Sequence, residues 1–127
     1  MQAGIRLQSR AGEAISRAVV VDNTINMSAP ASTTFGVTSA AIEVRGAGDG
    51  TVVFNNQIRG RAYFALSVAN QGGAPQGTVF LRNDLQGFSP SQADIFVDAG
   101  AIGTIVMAGQ RKFEDHGTGT VIVPNPD

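Results

Sequence analysis

Three acids are the first candidates for chemistry. Glu43, Asp94 and Asp98 lie in or beside short apolar segments, Ile42-Glu-Val44 and Asp94-Ile-Phe-Val-Asp98. Two carboxylates at a suitable separation hydrolyse glycosides, one as acid and the other as base or nucleophile. Glu43 with Asp94 or Asp98 is therefore the pair to weigh for catalysis, against the plainer reading of a solvated surface with no catalytic set. The single histidine, His116, sits in Glu114-Asp-His-Gly117. A metal site needs two more ligands, for which Asp115 and Glu114 offer carboxylates. The plainer reading is a surface histidine in a polar loop, with no metal and no cofactor. Arg59-Gly-Arg61 beside Tyr63 and Phe64 forms a small basic-aromatic patch, but two arginines are too few for a nucleic-acid site. Gly46-Ala-Gly-Asp-Gly50 has the glycine content of a phosphate loop. No helix pattern follows it and no Lys-Ser/Thr completes it, so it reads as a turn.

The elements that position these residues are constrained by composition. With 127 residues the chain builds one domain with a real core and is too short for two. Nine Lys and Arg against ten Asp and Glu leave a net charge of −1. No basic field exists to hold a phosphate backbone, which argues against nucleic acid as a partner. The absence of Cys excludes a disulfide framework or thiolate metal site without fixing a compartment. No apolar run approaches the ~20 residues of a membrane span, and Met1 to Arg17 has no apolar core before a cleavage site, so no signal peptide is visible. The expectation is a soluble chain of unknown location: cytoplasmic as given, extracellular if it is a fragment of a larger protein.

Internal repetition is the main signal. Thr51-Val-Val-Phe-Asn-Asn-Gln-Ile-Arg-Gly60, Thr78-Val-Phe-Leu-Arg-Asn-Asp-Leu-Gln-Gly87 and Thr104-Ile-Val-Met-Ala-Gly-Gln-Arg-Lys-Phe113 align without gaps, and Ala18-Val-Val-Val-Asp-Asn-Thr-Ile-Asn-Met27 is an earlier copy. The copies begin 33, 27 and 26 residues apart. Val19, Val52, Val79 and Ile105 share one apolar column, and Val21, Phe54, Leu81 and Met107 the next. Ile25, Ile58 and Leu85 share a third, which fails at Arg111. Between the copies runs a second element, Ile42-Glu-Val44, Leu66-Ser-Val68, Ile95-Phe-Val97 and Val121-Ile-Val123, with Ile5-Arg-Leu7 as a candidate first copy. Alternation of period two, Val/Ile/Phe content and Gly, Asn or Asp at the ends predict strands. A unit of short strands and turns repeated in phase buries its side chains only against the units above and below it, as a solenoid.

The string strand, Asn turn, strand in Val52-Val-Phe-Asn-Asn56-Gln-Ile58 and Val79-Phe-Leu-Arg-Asn83-Asp-Leu85, with Val19-Val-Val-Asp-Asn23-Thr-Ile25 before them, resembles the right-handed parallel β-helix of the pectin-lyase-like superfamily. The resemblance covers roughly residues 18–123. It implies that Asn23, Asn56 and Asn83 stack as an inward ladder, broken at Gly109. It also implies that Ile42–Val44 and its copies are the first strand of each coil, Val19–Val21 and its copies the second, and Ile25, Ile58 and Leu85 mark the third. The family's active site lies on the outer face of the first strand, here Glu43, Ser67, Phe96 and Ile122, with Arg45 and Asp98 at strand ends. Phe96 and Ile122 interrupt any polar groove there. The family's Asn-Thr-Asp string, adjacent aspartates, Gly-His-Gly and calcium-binding aspartate cluster are absent from this sequence. The N-terminal capping helix is also not evident; Ser9 to Ala18 reads as a short helix or as a loop. Pro124 and Pro126 after the last strand read as edge protection.

The expected fold is all-β: a short single-domain right-handed parallel β-helix, or solenoid, of about four coils. Residues 1–17 form a partial coil or cap, 18–123 the repeating coils and 124–127 a proline-containing tail. With Val19, Val21 and their copies inward, Val20, Val53, Phe80 and Val106 form an outward apolar column. A column of that kind marks an interface or a surface covered by the chain itself, for which Ser28–Ser39 is the candidate. The function expected is a non-enzymatic structural or interaction module that forms a homo-oligomer through this stripe or through open coil ends. The alternative is a carbohydrate-active protein that binds or cleaves a polysaccharide along the first-strand face.

Overall fold

The computed structural model describes residues 2–9, 13–28, 39–46, 48–70, 73–108 and 111–124. The first repeat supplies strands β1 (Gln2–Gln8), β2 (Ile15–Ser16), β3 (Val19–Val21) and β4 (Thr24–Ser28), and the second β5 (Ser39–Arg45), β6 (Gly48–Asp49), β7 (Val52–Phe54) and β8 (Gln57–Ala62). The third supplies β9 (Phe64–Ala69), β10 (Pro75–Gln76), β11 (Val79–Leu81) and β12 (Phe88–Pro90). The fourth gives β13 (Ile95–Val97) and β14 (Ile105–Ala108), and a fifth gives β15 (Phe113–Asp115) and β16 (Val121–Pro124). No helix occurs among the described residues; of the two readings of Ser9–Ala18, short helix or loop, its described part is irregular chain around the two-residue strand β2.

These strands form four sheets in which every pairing is parallel. The first sheet has the order β1-β5-β9-β13-β15, the second β3-β7-β11-β14-β16 and the third β4-β8-β12. A narrow bridge sheet, β2-β6-β10, continues as single pairings at Ile102 and Thr118. Neighbours in each sheet come from successive repeats, so equivalent residues stack about 4.8 Å apart. In the main core cluster Ile42, Val44, Leu66, Val68, Ile95 and Val97 of the first sheet meet Ile25, Ile58 and Leu85 of the third, and a smaller cluster joins Ala40, Phe64 and Ala93. Each such side chain contributes about 1.5–3 kcal/mol before the entropy of ordering is subtracted.

The second sheet corrects the expected parity. Val20, Val53, Phe80 and Val106 are core residues, with Phe80 at 0% exposure, whereas Val19 is 62% exposed. The reason lies in the turn from the second sheet to the third. Asp22, Asn55 and Arg82 adopt left-handed φ values of 58°, 56° and 54°, and each precedes one of the repeat asparagines. A left-handed residue turns the chain so that Val53 and Asn56, three apart, both face inward. Extending the parity of Ile58 straight back through that turn puts Val52 and Phe54 inside, which is one residue off.

The asparagines join successive repeats. Asn23 Nδ2 donates to Asn56 Oδ1 at 3.0 Å, and Asn56 Nδ2 to Asn83 Oδ1 at 2.9 Å. The same two oxygens accept the backbone N–H of Asn23 and Asn56. Asn56 Nδ2 also donates to the Val20 carbonyl and Asn83 Nδ2 to that of Val53. Asn56 is fully buried, so these bonds satisfy groups that water cannot reach. Gly109, the expected break in the ladder, lies outside the described residues.

The last repeat is also placed differently from expectation. Val121–Val123 pairs with Ile105–Met107 in the second sheet, and the fifth strand of the first sheet is Phe113–Asp115. Among the described residues the first and second sheets therefore have five strands, one more than about four coils supplies, and the last strand of the third is β12. Ile122 continues the inner column of the second sheet, and at its end is 46% exposed. The corner before each second-sheet strand carries another repeated signal: Arg17, Gly50, Gly77, Gly103 and Gly119 all have positive φ. Thr51, Thr78 and Thr104 follow the first three of those glycines and are buried.

Candidate functional site

On the outer face of the first sheet, Arg6, Glu43, Ser67, Phe96 and Glu114 stand in register. Glu43 is only 2% exposed. Its Oε1 accepts Arg6 Nε at 2.9 Å, and Arg45 Nε lies 3.0 Å from the same oxygen. Asp94 is buried at the entry to β13. Its Oδ2 accepts the Lys112 backbone N–H at 3.0 Å, and its carbonyl accepts both Ala65 N–H and Leu66 N–H. Two successive donors on one carbonyl mark a local bulge in the parallel ladder. Asp98 accepts the backbone N–H of Asn70 and of Ala99. Two strand spacings, about 10 Å, separate the repeat of Glu43 from that of the two aspartates. The structure does not bring the three carboxylates together, and each is held by groups of the chain itself.

Beyond Phe96 the same face holds a cluster that single-residue spacing did not suggest. Phe64 stacks on Phe96 with ring centroids 4.7 Å apart, and Phe96 lies 6.0 Å from the His116 ring. Glu114 accepts Gln92 Nε2 at 2.6 Å and lies 3.1 Å from His116 Nε2. The Gln92 hydrogen bond, with that of His116 second, holds the Glu114 carboxyl below its ordinary value. No group of three His, Cys, Asp or Glu suited to a metal ion occurs among the described residues. Phe64 stands at a strand start, outside the repeated columns, which is why the pairing with Phe96 could not be read from periodicity.

The basic-aromatic patch is not assembled. Arg59 lies on the third sheet, where Nη2 pairs with Asp84 Oδ2 at 2.8 Å and Nη1 donates to the carbonyls of Ile58 and Asp84. Phe64 is buried on the first sheet. The Gln86 backbone N–H, and then Arg59, lower the pKa of Asp84.

The second sheet offers a different surface. Its five strands put ten residues outward: Val19, Val52, Val79, Ile105 and Val121 in one column, and Val21, Phe54, Leu81, Met107 and Val123 in the other. All ten are apolar. Val19, Val21, Ile105 and Val121 are exposed and the rest half-buried. The expected stripe of Val20, Val53, Phe80 and Val106 is not this surface: those four are core residues, and the outward apolar residues are the ones flanking them. Together the ten present on the order of 500 Å² of apolar surface, near the largest patch of an ordinary monomer. Ser28–Ser39, the expected cover, lies outside the described residues except at its two ends. No helix among the described residues is long and apolar enough to cross a membrane. Comparison with protein-family models, with curated proteins and with solved structures finds no match.

Proposed function

We propose that the chain winds as a short right-handed parallel β-helix of the pectin-lyase-like kind and acts as a non-enzymatic interaction module that binds a second copy through the outer face of its second sheet. The strand order, one strand per repeat in the first and second sheets, and the asparagine bonds support the winding; the right hand follows from the general preference of parallel crossovers. The observation that carries the function is the run of ten apolar residues with no polar residue among them. Two such faces bury about 1,000 Å² in total, the lower bound of a specific interface. Light scattering across a dilution series tests this. The expected result is a concentration-dependent dimer that Ile105→Lys abolishes; a monomer at every concentration overturns it.

A second reading is favoured by the Phe64–Phe96 stack beside Gln92, Glu114 and His116. An aromatic platform with hydrogen-bonding groups at its edge suits a polysaccharide along the first-sheet face. Retention on immobilised polysaccharides, lost in Phe96→Ala and in Glu114→Gln, is the expected outcome for that reading, and no retention on any of them removes it.

A further inference from the structure

Resting on the self-association proposed above, the rims of the second-sheet face choose between two ways of laying a second copy on it. Toward the third sheet stand Asp22, Asn55 and Arg82, all exposed. Toward the bridge sheet stands Arg17 in the first repeat, and then Gly50, Gly77, Gly103 and Gly119, which have no side chains. One rim is raised and the other is bare beyond its first repeat.

A two-fold axis parallel to the strands sets raised rim on raised rim and inverts the order of repeats. Arg82, at the corner that follows the central strand β11, then meets its own copy, and two guanidiniums repel. A two-fold axis along the stack of repeats instead runs the strands antiparallel across the interface. Asn55 and Arg82 then lie over the bare positions of Gly50 and Gly77 in the other copy. In the first repeat Asp22 lies over Arg17 of the second copy, and Arg17 over its Asp22. Sheets packed face to face are about 10 Å apart, a gap that one arginine and one aspartate side chain span together. Arg17 has no ion pair among the described residues, and Asp22 accepts only a neutral donor, Asn55 Nδ2 at 2.7 Å.

We infer that the chain dimerises with its second sheets face to face and antiparallel, closed by two reciprocal Arg17–Asp22 pairs. The test is the dimer dissociation constant, by light scattering at low salt, of the wild type, Arg17→Asp, Asp22→Arg and the double variant. Both positions have left-handed φ, and Arg17, Asp22 and Arg82 show that either side chain is accommodated there; circular dichroism checks that each variant is folded. Each single change is expected to weaken the dimer about ten-fold or more, and the double change to restore it to within about three-fold. Single variants that bind like the wild type, or a double variant that stays weak, overturn the arrangement while leaving the face in place. A wild type that is monomeric throughout overturns the face as well.

Discussion

The outer faces of the first and second sheets are built from the same repeats by the same alternation, yet they meet their needs in different ways. On the first sheet, polar residues of the same and of neighbouring repeats answer one another: Arg6 and Arg45 hold Glu43, and Gln92 and His116 hold Glu114. All of β5 is buried, on both faces. On the second sheet the outward residues are apolar in every repeat, and packing against neighbours in the stack still leaves their outer surface in water. Polar ladders can be satisfied within one chain; an apolar face is satisfied only by another surface. That difference is why the proposed interface lies on the second sheet and not on the sheet with the carboxylates.

The largest effect expected separates two adjacent residues of β11. Phe80→Asp puts a carboxylate where exposure is 0%. Loss of the ring and burial of a charge together cost at least about 4 kcal/mol, a large part of a domain's stability, so cooperative thermal unfolding should vanish. Leu81→Asp on the outer face should leave the melting temperature within a few degrees of the wild type and abolish the dimer. Far-UV circular dichroism melts and light scattering on both variants check this. Unfolding of Leu81→Asp with survival of Phe80→Asp would restore the opposite parity.

The first sheet should fail for a different reason. Glu43→Leu leaves the Arg45 guanidinium, whose side chain is 9% exposed, without its carboxylate. Removing one partner of a buried ion pair costs about 3–5 kcal/mol. The urea midpoint should fall accordingly, with dimer affinity unchanged wherever the protein remains folded. A midpoint equal to that of the wild type would mean that the pair is worth no more than its apolar replacement. Asn56→Ala, inside the stack rather than on a face, ranks next. It strands the Val20 carbonyl and the Asn23 donors, for an expected loss of about 2–3 kcal/mol in the same measurement.

Much of this was legible in the sequence. The columns Ile42–Leu66–Ile95 and Ile25–Ile58–Leu85 stood out because at least one polar residue adjoins each member, and they are core residues. Val19-Val-Val21 carries no such contrast: with three apolar residues in a row, polarity cannot say which parity faces in. The left-handed residue ahead of each asparagine decides it, and a backbone dihedral leaves little trace in residue type when Asp22, Asn55 and Arg82 all adopt it. The last repeat was readable by another route. Gly50-Thr51, Gly77-Thr78, Gly103-Thr104 and Gly119-Thr120 each precede an apolar triplet, which assigns Val121–Val123 to the second sheet. A spacing of 26 residues hid it, because among the described residues no strand of the third sheet is paired between β14 and β15. Of the site, the existence of an outer apolar stripe was visible and its residues were displaced by one. Glu43 looked catalytic because an acid between two apolar residues reads the same whether it faces a substrate or two arginines.

The smallest effect expected concerns the hydrogen bonds that hold the first-sheet face together at its last repeat. Glu114 has its carboxyl lowered from the ordinary 4.5, chiefly by Gln92 and then by His116. A carboxylate with a depressed folded pKa contributes stability that is present above its unfolded pKa and is lost as the pH falls through its folded value. Melting temperature should therefore decline below about pH 4.5 in the wild type, and Glu114→Gln should flatten part of that decline. Near neutral pH the variant should differ little, because the Glu114 side chain is 31% exposed and solvent screens its contacts. Asp84, lowered from 3.8 by Gln86 and Arg59 on the third sheet, contributes a further decline at lower pH that Glu114→Gln leaves in place. Melts of the two proteins at neutral and acid pH resolve the contribution. An acid limb unchanged by Glu114→Gln would show that this polar ladder adds nothing to folding, and would leave the Phe96 platform, His116 and Glu114 free to serve a ligand instead.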